Sequence, residues 1–380
     1  MNLRDKLRSV NGTPKKAPPP PVRLDCWHGG ETRPAEEFPW AFDVRRETVM
    51  LMQGEDMPGD FAPERILYLD TETTGLSGGA GTVAFLVGMG WLTSEGFELR
   101  QVLMRDYPEE KYLLREVADT LERFDIICTF NGKSFDVPLL RDRLLMNRMD
   151  TVCLDKPHID LLHMARRVWK LRLKRCNLGN LEEAIMGMGR EDDLPGCLVP
   201  ERYFSYLKTG QFDLLRDVIR HNAQDIASLC VLLGHMAWLY EHPEDAVHAE
   251  DVFSMGVALD RMRHPEEARR CYRLAAKGKM RTESQLRLAV SYRRGGERAE
   301  AAAVWRGMIE RREGGVTPYI ELAKYYEHVC RDIPSALECT RRAIILLAEP
   351  TLFDGDTVQN SRNALQYRYE RLKRKQRSCD

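Results

Sequence analysis

The stretch "ILYLDTETTGL", residues 66–76, places two acids directly behind an apolar run. The run from Ile66 to Leu69 has the composition of a buried strand, and Asp70 and Glu72 follow it. Because alternate side chains of an extended chain point the same way, both carboxylates leave the strand on one face. Burying unpaired carboxylates is costly, and a divalent cation is the usual remedy. Carboxylate oxygens suit Mg²⁺ or Mn²⁺, so the stretch predicts a buried strand that ends in a metal site.

Two more acids occupy distant pieces of the chain that suit the same site. The segment "TFNGKSFDVPLL", residues 129–140, carries Asp136 behind an Asn-Gly turn, at the predicted start of a helix. The segment "RHNAQDIASL", residues 220–229, predicts a helix on which His221 and Asp225 share a face, because they are one turn apart. The predicted metal ligands are Asp70, Glu72, Asp136 and Asp225.

Four neighbours of these acids are candidates for substrate contact. Thr73 offers a hydroxyl beside the acids, and Gly75 permits close approach of a ligand to the backbone. Asn131 lies in the turn before Asp136, and Lys133 can reach a phosphate. An ordinary exposed lysine is the alternative interpretation of Lys133.

Length and composition describe an ordinary globular protein. The 380 residues suggest two or three domains, and 43% are hydrophobic, 30% are charged and the formal net charge is −1. Without an overall basic charge, any contact with nucleic acid must be local. The ten cysteines include no CxxC pair, which favours a reducing compartment over a disulfide framework.

The N-terminal residues predict an irregular beginning. Residues 1–30 are expected to be a flexible leader, stiffened by the prolines at 18–21, and residues 31–62 an extension without clear periodicity. Charges and prolines stand where a signal peptide needs an apolar core. No apolar run approaches the roughly 20 residues of a membrane span. We therefore expect a cytoplasmic protein without a membrane partner.

Residues 63–240 alternate between strand and helix patterns. Strands are predicted over 66–70, 82–91, 97–105 and 126–130, and helices over 109–123, 134–146, 160–171, 178–187 and 211–239. Three strands followed by helix, strand and helix indicate a mixed α/β domain rather than a doubly wound one.

Residues 248–350 contain three segments that repeat with a period of 33–34 residues. Matching small and large residues recur as Gly256, Ala268, Tyr272 and Ala275, as Ala289, Ala301, Trp305 and Met308, and as Ala323, Ala336, Thr340 and Ala343. The period and composition resemble tetratricopeptide repeats, whose stacked helix pairs offer a groove to a protein partner. A plain helical bundle is the alternative.

Residues 351–380 form a basic C-terminal tail that includes "SRNALQYRYERLKRKQRS", residues 361–378. A solvated, frayed helix is one interpretation of this composition. Contact with a phosphate backbone is the other.

The order of the acids resembles that of the DEDD exonucleases, which are proofreading-type 3′–5′ nucleases with a ribonuclease H-like fold. Asp70 and Glu72 match the first motif of that superfamily, Asp136 the second and Asp225 the third, across residues 63–240. Together with the C-terminal repeats, the chain is most similar to bacterial predicted exonucleases that carry tetratricopeptide repeats.

This resemblance implies a reaction and its cofactors. Two Mg²⁺ or Mn²⁺ ions, bridged by Asp70, would assist hydrolysis of phosphodiester bonds in single-stranded DNA or RNA. His221 would orient or deprotonate the attacking water. The chain departs from the family here, because a histidine base usually stands five residues before the last aspartate, whereas His221 stands four before Asp225. A histidine held by structural hydrogen bonds is the alternative.

Two other functions remain open at this point. A ribonuclease H-like site also supports cleavage within a strand, so a structure-specific endonuclease is one alternative. A non-catalytic adaptor that acts through its repeats is the other, and the intact set of four acids argues against it.

Overall fold

The computed structural model of this chain describes residues 25–75, 81–190, 194–348 and 356–377. The chain divides into two units. The first takes its described residues from 1–38, 64–160 and 190–230, and the second takes them from 39–63, 161–189 and 231–380. No helix within the described ranges combines the length and apolar character needed to cross a bilayer.

A mixed sheet forms the centre of the first unit. Its strands are β1 Trp27–Pro34, β2 Ile66–Thr73, β3 Ala84–Thr93, β4 Gly96–Leu103, β5 Ile126–Thr129 and β6 His158–Asp160. Within the described residues they form one six-stranded sheet in the order β1-β4-β3-β2-β5-β6. The pairs β1–β4, β4–β3 and β3–β2 are antiparallel, whereas β2–β5 and β5–β6 are parallel. The predicted mixed sheet is therefore confirmed.

The described helices are numbered here in chain order. They are α1 Arg46–Gln53, α2 Glu110–Leu121, α3 Asp136–Met146, α4 Leu161–Leu173, α5 Leu178–Leu181, α6 Val199–Thr209, α7 Arg216–Glu241, α8 Ala249–Arg261, α9 Pro265–Ala275, α10 Arg281–Arg294, α11 Arg298–Glu310, α12 Thr317–Tyr325, α13 Ile333–Ala348 and α14 Asp356–Arg377. The sequence pattern predicted α2, α3, α4 and α7 closely, but it missed α1 and α6. The predicted helix over 178–187 is the short α5, which continues into a wider π-type turn, Glu182–Met186.

The central strand β3 is covered on both of its faces. On one face Phe85 stacks on Tyr203 of α6, with ring centroids 4.0 Å apart. On the other face lie Gly88 and Gly90, where an added Cβ would come within 2.8 Å of Ile226 on α7. The two glycines therefore allow α7 to approach the sheet closely, and this brings its polar residues to the end of β2.

One expectation about the N-terminus was wrong. Residues 1–24 of the predicted leader lie outside the described residues, but residues 27–30 are part of β1 rather than of a flexible segment. β1 pairs with β4 along its whole length, from Trp27 opposite Leu103 to Pro34 opposite Gly96. Its sequence, "WHGGETRP", hides the strand because an edge strand bonds through its backbone and five of its eight residues are exposed.

The second unit contains the helices α8 to α13, each of which contacts the next one along the chain. The small and large residues at the repeated positions are buried, with Ala268, Ala289, Ala301, Ala323 and Ala336 all at 0% exposure. The periodic positions thus mark the faces on which these helices pack.

The described part of the basic tail is a packed helix rather than a frayed one. Leu365 and Leu372 of α14 are buried. The buried carboxylate of Glu327 accepts hydrogen bonds from Arg368 at 3.0 Å, from Arg371 at 2.6 Å and from Lys375 at 2.8 Å. Three basic residues of the tail therefore fix the helix through Glu327.

Candidate active site

The end of strand β2 carries the first pair of predicted acids. Asp70 pairs in register with Gly88 of β3, and Glu72 pairs with Leu86. Both acids are partly buried and alternate with the buried Thr71 and Thr73. Asp70 and Glu72 therefore share one face of the strand, as the sequence predicted.

Asn222 on α7 fixes Asp70. Its Nδ2 donates to Oδ2 of Asp70 at 2.9 Å, and its Oδ1 accepts from Nε2 of Gln101 at 2.8 Å. Gln101 also donates to the carbonyl of Ile219, so its amide joins β4 to α7. A Cβ at Gly88 would lie 2.3 Å from Oδ1 of Asn222, so this position needs glycine for the network to form.

Asp136 is held from the other side of the same strand. It begins α3, is 4% exposed, and accepts a hydrogen bond from Oγ1 of Thr71 at 2.5 Å. Burial raises the pKa of Asp136 to about 6, although the Thr71 hydroxyl opposes this shift by stabilising the charged form. Its carboxylate is thus kept close to β2 by a neutral hydroxyl donor.

His221 and Asp225 of α7 complete the group together with Arg190. Nε2 of His221 lies 3.7 Å from Oδ2 of Asp225 and 4.0 Å from Oε1 of Glu72. Nη1 of Arg190 lies 3.0 Å from Nδ1 of His221, and its Nη2 donates to Oδ1 of Asp225. These four side chains are between 12% and 15% exposed, so they meet in a largely buried environment.

The charges of the four acids also repel one another. Burial raises the pKa of Asp70 well above its ordinary value, and the charges of Asp225, Asp136 and Glu72 raise it further. The hydrogen bond from Asn222 opposes the shift. The structure therefore brings all four predicted acids into one cluster whose negative charges repel.

Comparison with known proteins places this cluster in a family. The family described as the RNase_H superfamily matches residues 67–237, which include all four acids. The "Uncharacterized protein YprB" of Bacillus subtilis is 32% identical over 320 residues, which cover 82% of this chain and 75% of that protein. The chain belongs to the YprB family. Its ribonuclease H-like domain suggests a nuclease that acts on nucleic acid.

A solved structure shows a weaker likeness. The family B DNA polymerase from the archaeon Pyrobaculum calidifontis aligns with 58% of this chain and with 30% of its own length, at 17% identity and a TM-score of 0.38. A similarity this low supports no argument about the ribonuclease H-like domain.

The residues predicted to contact substrate lie next to the acids in the sequence and make hydrogen bonds within the domain. Oγ1 of Thr73 donates to the carbonyl of Gly75 at 2.7 Å. The backbone N–H groups of Asn131 and Lys133 donate to the buried carboxylate of Asp160, at 2.9 Å and 3.1 Å. Asp160 thus anchors the loop that leads into Asp136.

No finished metal site is preassembled in the ribonuclease H-like domain. Among the residues described by the structure, no three His, Cys, Asp or Glu side chains converge on one ion position. Donors from the protein itself now hold oxygens of Asp70, Asp136 and Asp225.

Sequence reasoning missed three residues that control the acids. Thr71 lies between Asp70 and Glu72, and Asn222 directly follows His221. The polar side chains of both residues, inside the two motifs, were a sequence signal for hydrogen bonds to the acids. Arg190 gave none, because it lies 35 residues before Asp225 in a segment without a recognisable motif.

Proposed function

We propose that this protein is a metal-dependent nuclease that shortens single-stranded DNA or RNA from the 3′ end. The observation that carries the proposal is the cluster of Asp70, Glu72, Asp136 and Asp225, whose repelling charges lie within a ribonuclease H-like domain. Mutual repulsion among the acids destabilises the fold, and proteins retain such an arrangement at sites where the charge has a function.

The donor set suits two Mg²⁺ or Mn²⁺ ions. All four predicted ligands are carboxylates, which hard divalent cations prefer, and their repulsion would fall once a cation lay among them. Asp70, Glu72, Asp136 and Asp225 would hold the ions. When bound, such ions supply a nucleophilic water and stabilise charge on the phosphate and the leaving oxygen.

The residues of the chain contribute orientation and proton handling. Asn222 fixes the rotamer of Asp70 through its 2.9 Å hydrogen bond, and Gln101 fixes Asn222 in turn. His221, between Glu72 and Asp225, is in place to orient or deprotonate the attacking water. Geometry held in this way lowers the entropy lost at the transition state.

Substrate contacts are proposed for the loops beside the acids. The exposed side chains of Asn131 and Lys133 extend from the loop that Asp160 anchors, and Lys133 offers a cation to a phosphate. Thr73 and Gly75 occupy the turn that follows the acids of β2. A strand passing between these two segments would lie across the acid cluster.

The helical region is proposed to be tetratricopeptide-like and to bind a protein partner. The burial of the periodic positions supports this assignment, and so does Gly256, where a Cβ would lie 2.8 Å from the Tyr272 ring. Glycine at that position permits the close helix approach that such repeats need.

The test is cleavage of end-labelled single strands of DNA and RNA in Mn²⁺. A 5′ label should give a ladder of stepwise shortened products, whereas early internal fragments would support the endonuclease alternative. Asp70→Asn and Asp225→Asn should lower the rate by at least about a thousandfold. Asp142→Asn is the matched control, because Asp142 is an exposed acid on α3. Equal activity of the wild type and Asp70→Asn would refute the enzyme.

A further inference from the structure

The contact between Arg190 and His221 fixes the protonation pattern of the imidazole. A guanidinium has five N–H donors and no acceptor, so Nδ1 of His221, 3.0 Å from Nη1, must be the accepting atom. The single proton of the neutral ring is therefore on Nε2. Nε2 is also the atom that faces Glu72 at 4.0 Å and Asp225 at 3.7 Å, and both carboxylates accept hydrogen bonds.

This arrangement occupies both ring nitrogens of His221. Nδ1 is covered by the guanidinium, and Nε2 already carries a proton. The same guanidinium also bonds to Oδ1 of Asp225, one of the carboxylates proposed to hold a metal. One side chain therefore controls both the proposed base and a proposed ligand.

Arg190 supplies positive charge to the acid cluster from within the chain. The hydrogen bonds from Asn222 to Asp70 and from Thr71 to Asp136 come from neutral donors. With 12% of its side chain exposed, Arg190 lies where screening by solvent is weak and its attraction to Asp225 is strong. A divalent ion that bound Asp225 would compete for the oxygen that Arg190 now holds.

We propose that Arg190 is a positioning residue that occupies the place of a cation at Asp225 and is exchanged for the metal. In the metal-free protein it neutralises Asp225 and holds His221 in its Nε2–H form. Exchange releases Oδ1 of Asp225 and Nδ1 of His221 together, so metal binding and activation of the imidazole become one event. The proposal rests on the proposed function and adds a regulatory step to it.

The first test measures Mn²⁺ affinity by titration calorimetry on the full chain. Arg190→Gln should bind Mn²⁺ about tenfold to a hundredfold more tightly than the wild type, because a charge-assisted bond no longer opposes the ion. Arg141→Gln is the matched control, since Arg141 pairs with Asp155 at 2.7 Å on the same unit. Its affinity should equal that of the wild type.

The second test reads the imidazole directly by ¹⁵N nuclear magnetic resonance. Metal-free wild type should show His221 as the Nε2–H tautomer, and Mg²⁺ should shift its signals toward those of Arg190→Gln. Arg190→Lys keeps the charge, but a single ammonium lacks the fork that bridges Nδ1 and Oδ1. It should leave Mn²⁺ affinity near the wild-type value and still lose the fixed tautomer.

The outcomes separate this inference from the proposed function. Equal or weaker Mn²⁺ binding by Arg190→Gln, with an unchanged melting temperature, would overturn the exchange. If neither protein bound Mn²⁺, the exchange would fail together with the metal site. Tighter binding and the expected tautomer, in a protein that cleaves no strand, would support the exchange and refute the nuclease.

Discussion

Replacing Asp70 with asparagine should make the metal-free protein more stable while it abolishes the proposed reaction. The present carboxylate is partly buried, and three other acids repel it. Asparagine has nearly the same shape, and its carbonyl oxygen can still accept the hydrogen bond that Asn222 now donates at 2.9 Å. The substitution therefore removes repulsion and leaves the main contact in place.

The expected gain follows from the spacing of the acids. Glu72 follows Asp70 by two residues on the same face of β2, so the two carboxylates lie roughly 7–8 Å apart. Two charges about 8 Å apart repel by about 2 kcal/mol at an effective dielectric constant near 20. Salt screening and the Arg190 charge weaken the sum over three neighbours, so we expect a net gain of about 2 kcal/mol. The melting temperature should rise by about 4–8 °C.

In Mn²⁺ the wild type should become more stable than Asp70→Asn. A site filled at one hundred times its dissociation constant stabilises the fold by about 2.7 kcal/mol, and Asp70→Asn should lose most of this gain. The assay is thermal unfolding of both proteins, with Asp142→Asn as control, in chelator and in Mn²⁺. An Asp70→Asn protein that is less stable than the wild type in chelator would refute the repulsion. Equal stabilisation of both by Mn²⁺ would refute Asp70 as a ligand.

Two further predictions concern the helical region. Arg269→Ala should lower the free energy of unfolding by about 3 kcal/mol, because the buried guanidinium of Arg269 bonds to Glu297 at 2.6 Å. Arg270→Ala, at an exposed neighbouring position, should lower it by less than about 1 kcal/mol. Urea unfolding followed by circular dichroism measures both values, and equal losses would contradict the prediction. Burial raises the pKa of Glu327, but the Lys375 hydrogen bond and the nearby cations outweigh burial, so the pKa of Glu327 in the folded protein is lowered. The stability that this carboxylate contributes is therefore present above its ordinary pKa and is lost as the pH falls through the lower folded value. Amide exchange of residues 360–377, corrected for intrinsic rate, should therefore rise below about pH 4 in the wild type and already be fast at pH 6 in Glu327→Gln; slow exchange in that variant would contradict the anchoring role.

The sequence predicted the parts of the fold that depend on local periodicity. Strand β2 was visible because four apolar residues precede two acids on one face, and α7 because His221 and Asp225 are one turn apart. The repeated positions of the helical region predicted burial, since small residues recur where helices approach closely. Each of these signals lies within a few residues or recurs at a fixed period.

The parts that the sequence hid depend on contacts between distant segments. β1 carries no hydrophobic alternation, and a Cβ at Gly30 would lie 2.6 Å from the carbonyl oxygen of Leu99, so this position is decided by its neighbour in β4. Arg190 reaches Asp225 across 35 residues of chain. Such pairings become visible only when the sheet and α7 are in place.

The donors around the acids explain how the domain can carry four repelling carboxylates before any cation arrives. Thr71 and Asn222 satisfy oxygens of Asp136 and Asp70 by hydrogen bonds that leave the negative charge unchanged. Arg190 cancels charge at Asp225, where the guanidinium can be exchanged. Neutral donors thus preserve the attraction for a divalent ion, whereas the cationic donor Arg190 sets the competition that an incoming ion must overcome at Asp225. The metal affinity of this protein should therefore respond more to substitution of Arg190 than to substitution of Thr71 or Asn222.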